Sequence, residues 1–337
     1  MSARWVVVTT SVEPVDILVA FARHHLSLGA SEVHIFLDRP VQEDADRLAL
    51  IPGVTAWSCD PSYWGGVHKM RRPKAVERRQ LTNAHHVSVL TDVEWLIHLD
   101  SDEFIHSAGS VGQSLAAIPD GIDVVRLYPM ERVYLGQTMP THVFDGGFRL
   151  VSKHSPEATR HLLAAEIAAV GTYFLGHLSG KTFTRMASGL LMGIHRPRPK
   201  SGVGRRQMVE INAPHMGVLH FDGFTPLHWM TKINAYIERN FDGSRSSMQT
   251  GAQQFLRLVR QAGGDPRQLG KLFTVAKRIA PERADQLRRL GLLAELQDWR
   301  PLTEAADGGP DPDLSVAGFD RRANGADIAA LEIVEEF

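Results

Sequence analysis

The sequence predicts an α/β fold, a mostly parallel central sheet flanked by helices, and three observations carry that prediction. Residues 5–10 are an apolar run rich in Val and Thr, a helical pattern follows, and residues 32–38 form a second apolar run. Strand, helix and strand within roughly 35 residues make a βαβ unit, with parallel strands and a right-handed crossover. Residues 95–104 are a short, mostly apolar run that stops in Asp100, Asp102 and Glu103. A strand buried on both faces reads this way where its carboxyl end meets solvent. Finally, 337 residues with 43% hydrophobic and 22% charged content suffice for one large α/β domain and an appendage.

The elements follow in order. Glu13 and Pro14 open the first helix, because Pro is tolerated in a first turn. Ile17, Leu18, Phe21, Ala22, His25 and Leu26 recur at helical spacing until Gly29 ends it. After the second strand a polar helix is expected over 42–50, then a turn at Pro52 and Gly53 and a short strand over 54–57. Gly65 and Gly66 lead into His68, Lys69, Arg71 and Arg72, and a helix from near Lys74 adds Arg78, Arg79, Gln80 and Asn83. This local basic cluster suits either phosphate binding or a solvated helix face. Beyond Phe104 the pattern gives a helix over 111–117, a strand over 123–128, a further run over 131–136 and a turn at Asp145, Gly146 and Gly147. Residues 156–178 are rich in Ala and Leu without a clear period. Strands are expected over 180–185, 193–197 and 217–221, and a helix over 226–239. The basic stretch 197–206 is a loop; its Gly202 and Gly204 follow no strand and so form no dinucleotide fingerprint. Residues 253–296 read as helices, and 308–313 as a linker in an acidic tail. The expected division is a main domain over 1–240, a helical C-terminal extension over 241–300 and a flexible acidic tail over 301–337.

Charge and cysteine content restrict the function. A formal net charge of -1 supplies no global basic field for nucleic acid or a membrane surface. A single cysteine, Cys59, excludes an intramolecular disulfide and a cysteine-based zinc site, and points to a reducing compartment. No apolar run is long enough for a signal peptide or a membrane span, so no transmembrane segment and a cytoplasmic location are expected.

The acids closing the 95–104 run are the candidate site. Open α/β sheets bind ligands outside the carboxyl ends of their strands. In an extended segment Asp100 and Asp102 leave the same side of the backbone, and two such acids repel unless a cation lies between them. A hard divalent ion, Mg²⁺ or Mn²⁺, shared with a phosphate-bearing ligand, fits that need. The plainer alternative is loop initiation or helix capping. Asp38, at the end of the second strand, belongs at the same sheet edge as Asp100. His220, at a strand end before a glycine turn, is either a ligand or a buried hydrogen-bonded histidine; His195 has a weaker claim. The adjacent pairs His24, His25 and His85, His86 face different directions on their helices and read as packing or surface residues.

Several segments, taken in order, resemble family 2-type glycosyltransferases, in particular a bacterial branch pairing an H-H-x-x-L-G helix end with a D-x-D-E-F strand end. They are His24 to Gly29, Val33 to Asp38, Arg79 to Asn83, Trp95 to Phe104, Gly180 to Arg185, Gly193 to His195, and His220 with Phe221. The resemblance covers roughly residues 4 to 240. It implies a GT-A fold, a Rossmann-like nucleotide-binding sheet, and transfer of a sugar from a nucleotide-diphospho-sugar, a UDP-sugar above all, to an acceptor hydroxyl on a glycan or lipid-linked glycan. It further implies Mn²⁺ or Mg²⁺ held by Asp100, Asp102 and His220, and donor contacts from Thr9, Asp38, Arg79, Gln80, Asp100 and Lys181. An inverting enzyme also needs a carboxylate to deprotonate the acceptor; Glu131, Asp145 and Asp222 are candidates, and Glu103 serves either the acceptor or the loop. The base-side turn departs from the family, with Asp38, Arg39 and Pro40 replacing its polar Asn-rich sequence. Competing readings are a phosphatase or phosphotransferase using Asp100 as nucleophile, and a non-catalytic nucleotide-sugar-binding scaffold.

Overall fold

The computed structural model describes residues 2–136, 138–150, 179–200, 207–240, 258–294, 296, 299–303 and 309–324. The expectation of an Ala- and Leu-rich segment at 156–178 lies outside them. The chain forms two compact units: Met1–Pro129, Ser179–Leu219 and Arg300–Pro312 make the first; Met130–Leu178, His220–Trp299 and Asp313–Phe337 the second. These units interleave along the chain instead of dividing it at 240 and 300.

The first unit is an α/β layer structure. Its elements begin β1 (Trp5–Ser11), α1 (Val15–Ser27), β2 (Glu32–Leu37), α2 (Gln42–Ala49) and β3 (Val54–Ser58). After α3 (Val76–Leu90) come β4 (Trp95–His98), β5 (Glu103–Ser107), α4 (Val111–Ala116) and the start of β6 (Val124–Leu135). Strands β3, β2, β1 and β4 lie side by side and parallel, as the βαβ pattern requires. A later strand, β8 (Lys181–Arg185), runs antiparallel between β4 and β6, so the sheet is parallel over its first four strands and antiparallel beyond them. Trp5 to Val8 are wholly buried, because a parallel strand is covered on both faces. Val6, Val8, Phe36, Trp64, Val87 and Leu96 form a core beneath α3. Since the strands are parallel, β1, β2 and β4 end at one edge, and Asp38 and Asp100 emerge there.

The histidine pair of α1 fastens β5. His24 Nε2 lies 2.8 Å from the Ile105 carbonyl while its Nδ1 accepts the Leu302 N–H at 3.1 Å. His25 Nε2 accepts the Ile105 N–H at 3.3 Å, and its Nδ1 lies 2.8 Å from the Phe21 carbonyl. Each ring thus uses one nitrogen as donor and one as acceptor, the neutral form. Both rings are buried. Burial holds the His24 pKa down to about 4 and that of His25 well below the ordinary value.

The second unit contains the end of β6, β7 (Gly147–Arg149), α5 (Pro226–Asn240) and α6 (Pro266–Lys277). Two-residue strands β10 (Arg278–Ile279) and β11 (Leu293–Ala294) flank α7 (Pro281–Arg289), and α8 (Val316–Asn324) follows. Trp229, Phe273 and Tyr134 centre one core, Val133, Leu287 and Leu292 another. The region expected to be wholly helical therefore contributes two short strands, and α8 buries Phe319 within the segment read as tail.

Local differences have physical causes. The expected strand at 123–128 and run at 131–136 are one strand, β6. Its pairing changes from β8, over Val124 to Leu127, to β7, over Glu131 to Val133. Pro129, which has no N–H to contribute, falls between the two ladders. The expected strand at 193–197 is a bend closed by a bridge between Leu191 and Arg198. A Cβ on Gly193 would lie 1.8 Å from the Arg196 carbonyl oxygen, so that approach admits only glycine. β9 (Glu210–His220) begins seven residues before the expected strand at 217, and its polar first half gave no apolar run to read.

The neutral histidines make stability pH-dependent. A histidine whose folded pKa is depressed lends stability above its unfolded value of about 6.5, and that stability drains as pH falls toward the folded value. Urea midpoints should therefore fall between pH 7 and 5, and His24→Gln should show a smaller fall over that interval than the native chain. An equal fall in both would show that His24 titrates normally in the fold.

Candidate functional site

The β4 strand end is a turn. Glu103 N–H donates to the Asp100 carbonyl at 3.0 Å, so Asp100, Ser101 and Asp102 fold back before β5 starts. Asp100 and Asp102 do not sit on an extended strand, and the alternation that would put both on one side does not operate between them. Ser101 Oγ meets Ser11 Oγ at 2.7 Å, which ties the turn to the end of β1.

Lys181, the first residue of β8, reaches this turn from across the antiparallel ladder. Its Nζ lies 2.7 Å from Asp100 Oδ2 and 3.0 Å from Glu103 Oε2. Glu103 Oε2 also accepts the Asp100 N–H at 2.9 Å, and Gln80 Nε2 donates to Asp100 Oδ1 at 2.7 Å. Lys181 and Glu103 are sealed, whereas the Asp100 side chain is 32% exposed. Burial, the largest single effect, would raise the Asp100 pKa, but the charge and hydrogen bond of Lys181 together with neighbouring groups hold the carboxyl well below its usual range. Burial likewise works against the Lys181 charge, and Asp100 and then Glu103 override it, raising that pKa. His98, two residues before Asp100 at the end of β4, is buried and held down to about 4 by burial and then by Lys181.

At the end of β2, Asp38 receives a two-pronged contact from Arg79, Nε to Oδ1 and Nη2 to Oδ2, both 2.7 Å. The remaining Arg79 nitrogen, Nη1, donates to the carbonyls of Pro73 and Lys74. Every arm of this buried guanidinium is thus used internally, fastening the loop before α3 to the sheet edge. Arg72 adds a second contact to Asp38 Oδ2 at 2.9 Å and stays 43% exposed. Next to it, Asn83 joins Thr10 Oγ1 (2.9 Å) to the Tyr63 hydroxyl (2.8 Å). Thr9 is fully buried, and its hydroxyl has no hydrogen-bond partner among the described residues. The first unit therefore brings Asp38, Arg79, Gln80, Asp100 and Lys181 together at one sheet edge, with Arg72, Thr10 and Asp100 partly open to solvent.

The second unit gathers Glu131, Asp222 and His220. Lys277 Nζ bridges Glu131 Oε1 at 3.1 Å and Asp222 Oδ2 at 3.0 Å, and Arg149 lies 3.9 Å from Glu131. Glu131 is sealed, while the Asp222 side chain is 28% exposed. Burial, the largest single effect, raises the pKa of both carboxyls, but Lys277 together with His220 and other neighbouring groups more than offsets it, and both are lowered. Asp145 instead accepts the backbone N–H groups of Thr141 and His142, closing a turn. Among the described residues no set of three or more His, Cys, Asp or Glu side chains is placed to hold a metal ion. Sequence reasoning missed Lys277 and Arg149, whose only local signals are a basic helix end and a charge inside an apolar strand.

No family model matches the sequence, and no curated protein matches it significantly. Among solved structures the chain is similar to HddC from Yersinia pseudotuberculosis, at 10% identity and a TM-score of 0.34 over 68% of this chain and 97% of that one. It is also similar to residues 1–349 of TarS from S. aureus, at 10% identity and a TM-score of 0.32 over 84% and 83% of the two chains. At such scores neither likeness bears on the chemistry.

The arrangement around Lys181 makes its removal costly. Lys181→Met should destabilise the chain by about 3 kcal/mol or more, because Glu103 is left buried without a counter-charge. Adding Glu103→Gln should restore a large part of that loss in chemical denaturation. If the double variant is no more stable than the single one, the Lys181 contact with Glu103 is not what holds the turn.

Proposed function

We propose that the chain is a GT-A glycosyltransferase of the family 2 type, which binds a nucleotide-diphospho-sugar, in the first instance a UDP-sugar, at the carboxyl edge of β1, β2 and β4 and passes the sugar to an acceptor hydroxyl on a glycan or lipid-linked glycan. One observation carries the reading: Asp100, at the end of a parallel strand, is ionised, partly exposed and held from behind by Gln80 and a buried lysine.

A carboxylate so fixed accepts hydrogen bonds and donates none. It suits the hydroxyl pair of a ribose or a sugar, since its charge persists through the whole physiological range. Orientation is set in advance by Gln80 and Lys181, which lowers the entropy lost when a ligand binds. Arg72, half exposed beside Asp38, offers a cation for a diphosphate. Arg79, with all its donors engaged, acts as the clamp that positions the loop carrying Arg72.

Mn²⁺ or Mg²⁺ would act as a Lewis acid on the departing diphosphate. Among the described residues no set of three or more ligating side chains stands ready for that ion, and Asp100 already accepts from Gln80 with one oxygen and from Lys181 with the other. No step is therefore routed through a metal. Glu103 and Glu131, sealed and ion-paired, are poorly suited to take a proton from an acceptor. Asp222 has a partly accessible carboxylate, but its pKa is held down by Lys277 and its other neighbours, so it accepts hydrogen bonds better than it takes a proton.

A ligand that binds only the folded protein raises its melting temperature. A screen of nucleotide-diphospho-sugars, with Mn²⁺ and with chelator, should give such a rise for at least one donor. Asp100→Asn, which keeps the shape of the side chain, should abolish the rise while leaving the unliganded melting temperature within a few degrees. An unchanged rise in the variant would remove Asp100 from the donor site.

A further inference from the structure

Residues 67–78 carry five Lys and Arg against a single acid, Glu77, in a chain whose 37 basic and 38 acidic residues nearly balance over its full length. Two of the basic side chains in and beside this stretch are accounted for: Arg72 and Arg79 bind Asp38. The other four, Lys69, Arg71, Lys74 and Arg78, are exposed and make no side-chain hydrogen bond or ion pair among the described residues. Interleaved with them are three exposed apolar side chains, Val67 (51%), Met70 (42%) and Val76 (41%). The four cations are well solvated as they stand, but with three apolar side chains exposed between them the segment combines positive charge and apolar surface, which suits a partner that is anionic and apolar at once.

Both ends of the stretch are secured. Trp64 is buried, its indole N–H donating to the Cys59 carbonyl at 3.1 Å, and the Met70 N–H donates to the Trp64 carbonyl at 3.0 Å. At the other end Arg79 grips the carbonyls of Pro73 and Lys74. A Cβ on Gly65 or Gly66 would touch nothing within 4 Å, so the approach is open. The segment is presented to solvent by an anchored frame.

We propose that residues 67–78 form a docking face for an anionic phospholipid surface. Lys and Arg are drawn to the surface of an anionic leaflet, and short apolar side chains between them enter the boundary of headgroups and acyl chains. A polynucleotide suits the face less well. Single-strand binders pair their cations with exposed aromatic platforms, and here the neighbouring rings of Tyr63 and Trp64 are buried in the core. The inference does not rest on the donor reading, because none of the four free cations belongs to the sheet-edge site.

The test is co-sedimentation of the full chain with vesicles of phosphatidylcholine alone, and of phosphatidylcholine mixed with phosphatidylserine. Binding is expected only to the mixed vesicles, and should weaken steeply with added salt. Reversing Lys69, Arg71, Lys74 and Arg78 to Glu should lower vesicle affinity about tenfold or more. Met70→Ser with Val67→Ser, which leaves every charge in place, should weaken it as well. Thermal melts of both variants check that the fold is kept; should the charge reversal melt early, the serine variant and the salt dependence of the native chain decide the matter. Equal binding to neutral vesicles, binding unaffected by either variant, or capture by heparin or an acidic peptide without vesicle binding would each overturn the proposal.

Discussion

The sheet edge of the first unit depends on one ammonium group. Lys181 is fully buried, and removing it from water is expensive unless its charge is answered at close range. Asp100 and Glu103 answer it from a turn that is itself closed by the Asp100 amide on Glu103. A strand from late in the chain thereby fixes the geometry of a turn 81 residues earlier. Take the lysine away and the turn keeps two acids side by side without the ammonium that answers both charges. The position of Asp100 and its ionisation both follow from this contact, made where β8 is laddered to β4.

The other end of that turn is held by neutral groups. Ile105 in β5 gives its carbonyl to His24 and its amide to His25, so one helix satisfies both backbone groups of a single strand residue. Burying two imidazoles costs little when each has a donor and an acceptor matched, and a good deal if either must carry charge. The adjacent histidines of α1 thus work as a pair although their rings point differently. The first unit uses charge on one side of the Asp100 turn and neutral hydrogen bonding on the other, so mild acid weakens the α1 side well before it protonates Asp100.

The βαβ beginning of the chain was legible because its signals are local: Val-rich runs, a glycine stop, apolar spacing. Asp38 and Asp100 were assigned to one edge by the same logic, since parallel strands must end together. What could not be read was partnership. Nothing near Lys181 announces that it faces Asp100, and nothing near Arg79 shows that its guanidinium is consumed by Asp38 and two carbonyls. The Asp100 turn misled for a related reason, because an apolar run ending in acids looks the same whether the chain continues extended or folds back. β6 reads as two pieces in the sequence, and in the fold the ladder changes partners around Pro129, which has no N–H to give. The interleaved units are not a local property at all, and composition shifts along the chain gave the wrong joints.

Both units solve the same electrostatic problem in the same way. Lys181 lies between sealed Glu103 and partly exposed Asp100; Lys277 lies between sealed Glu131 and partly exposed Asp222. A lysine paired with the exposed acid alone would lose part of its counter-charge to solvent screening, and paired with the sealed acid alone it would have no outward effect. With both, the sealed glutamate fixes the ammonium, and the fixed ammonium keeps the outer aspartate ionised and still. Such an aspartate is a poor proton acceptor and a good hydrogen-bond acceptor. The division follows from burial: the inner acid is bound to structure, and the outer one is the acid that solvent can reach.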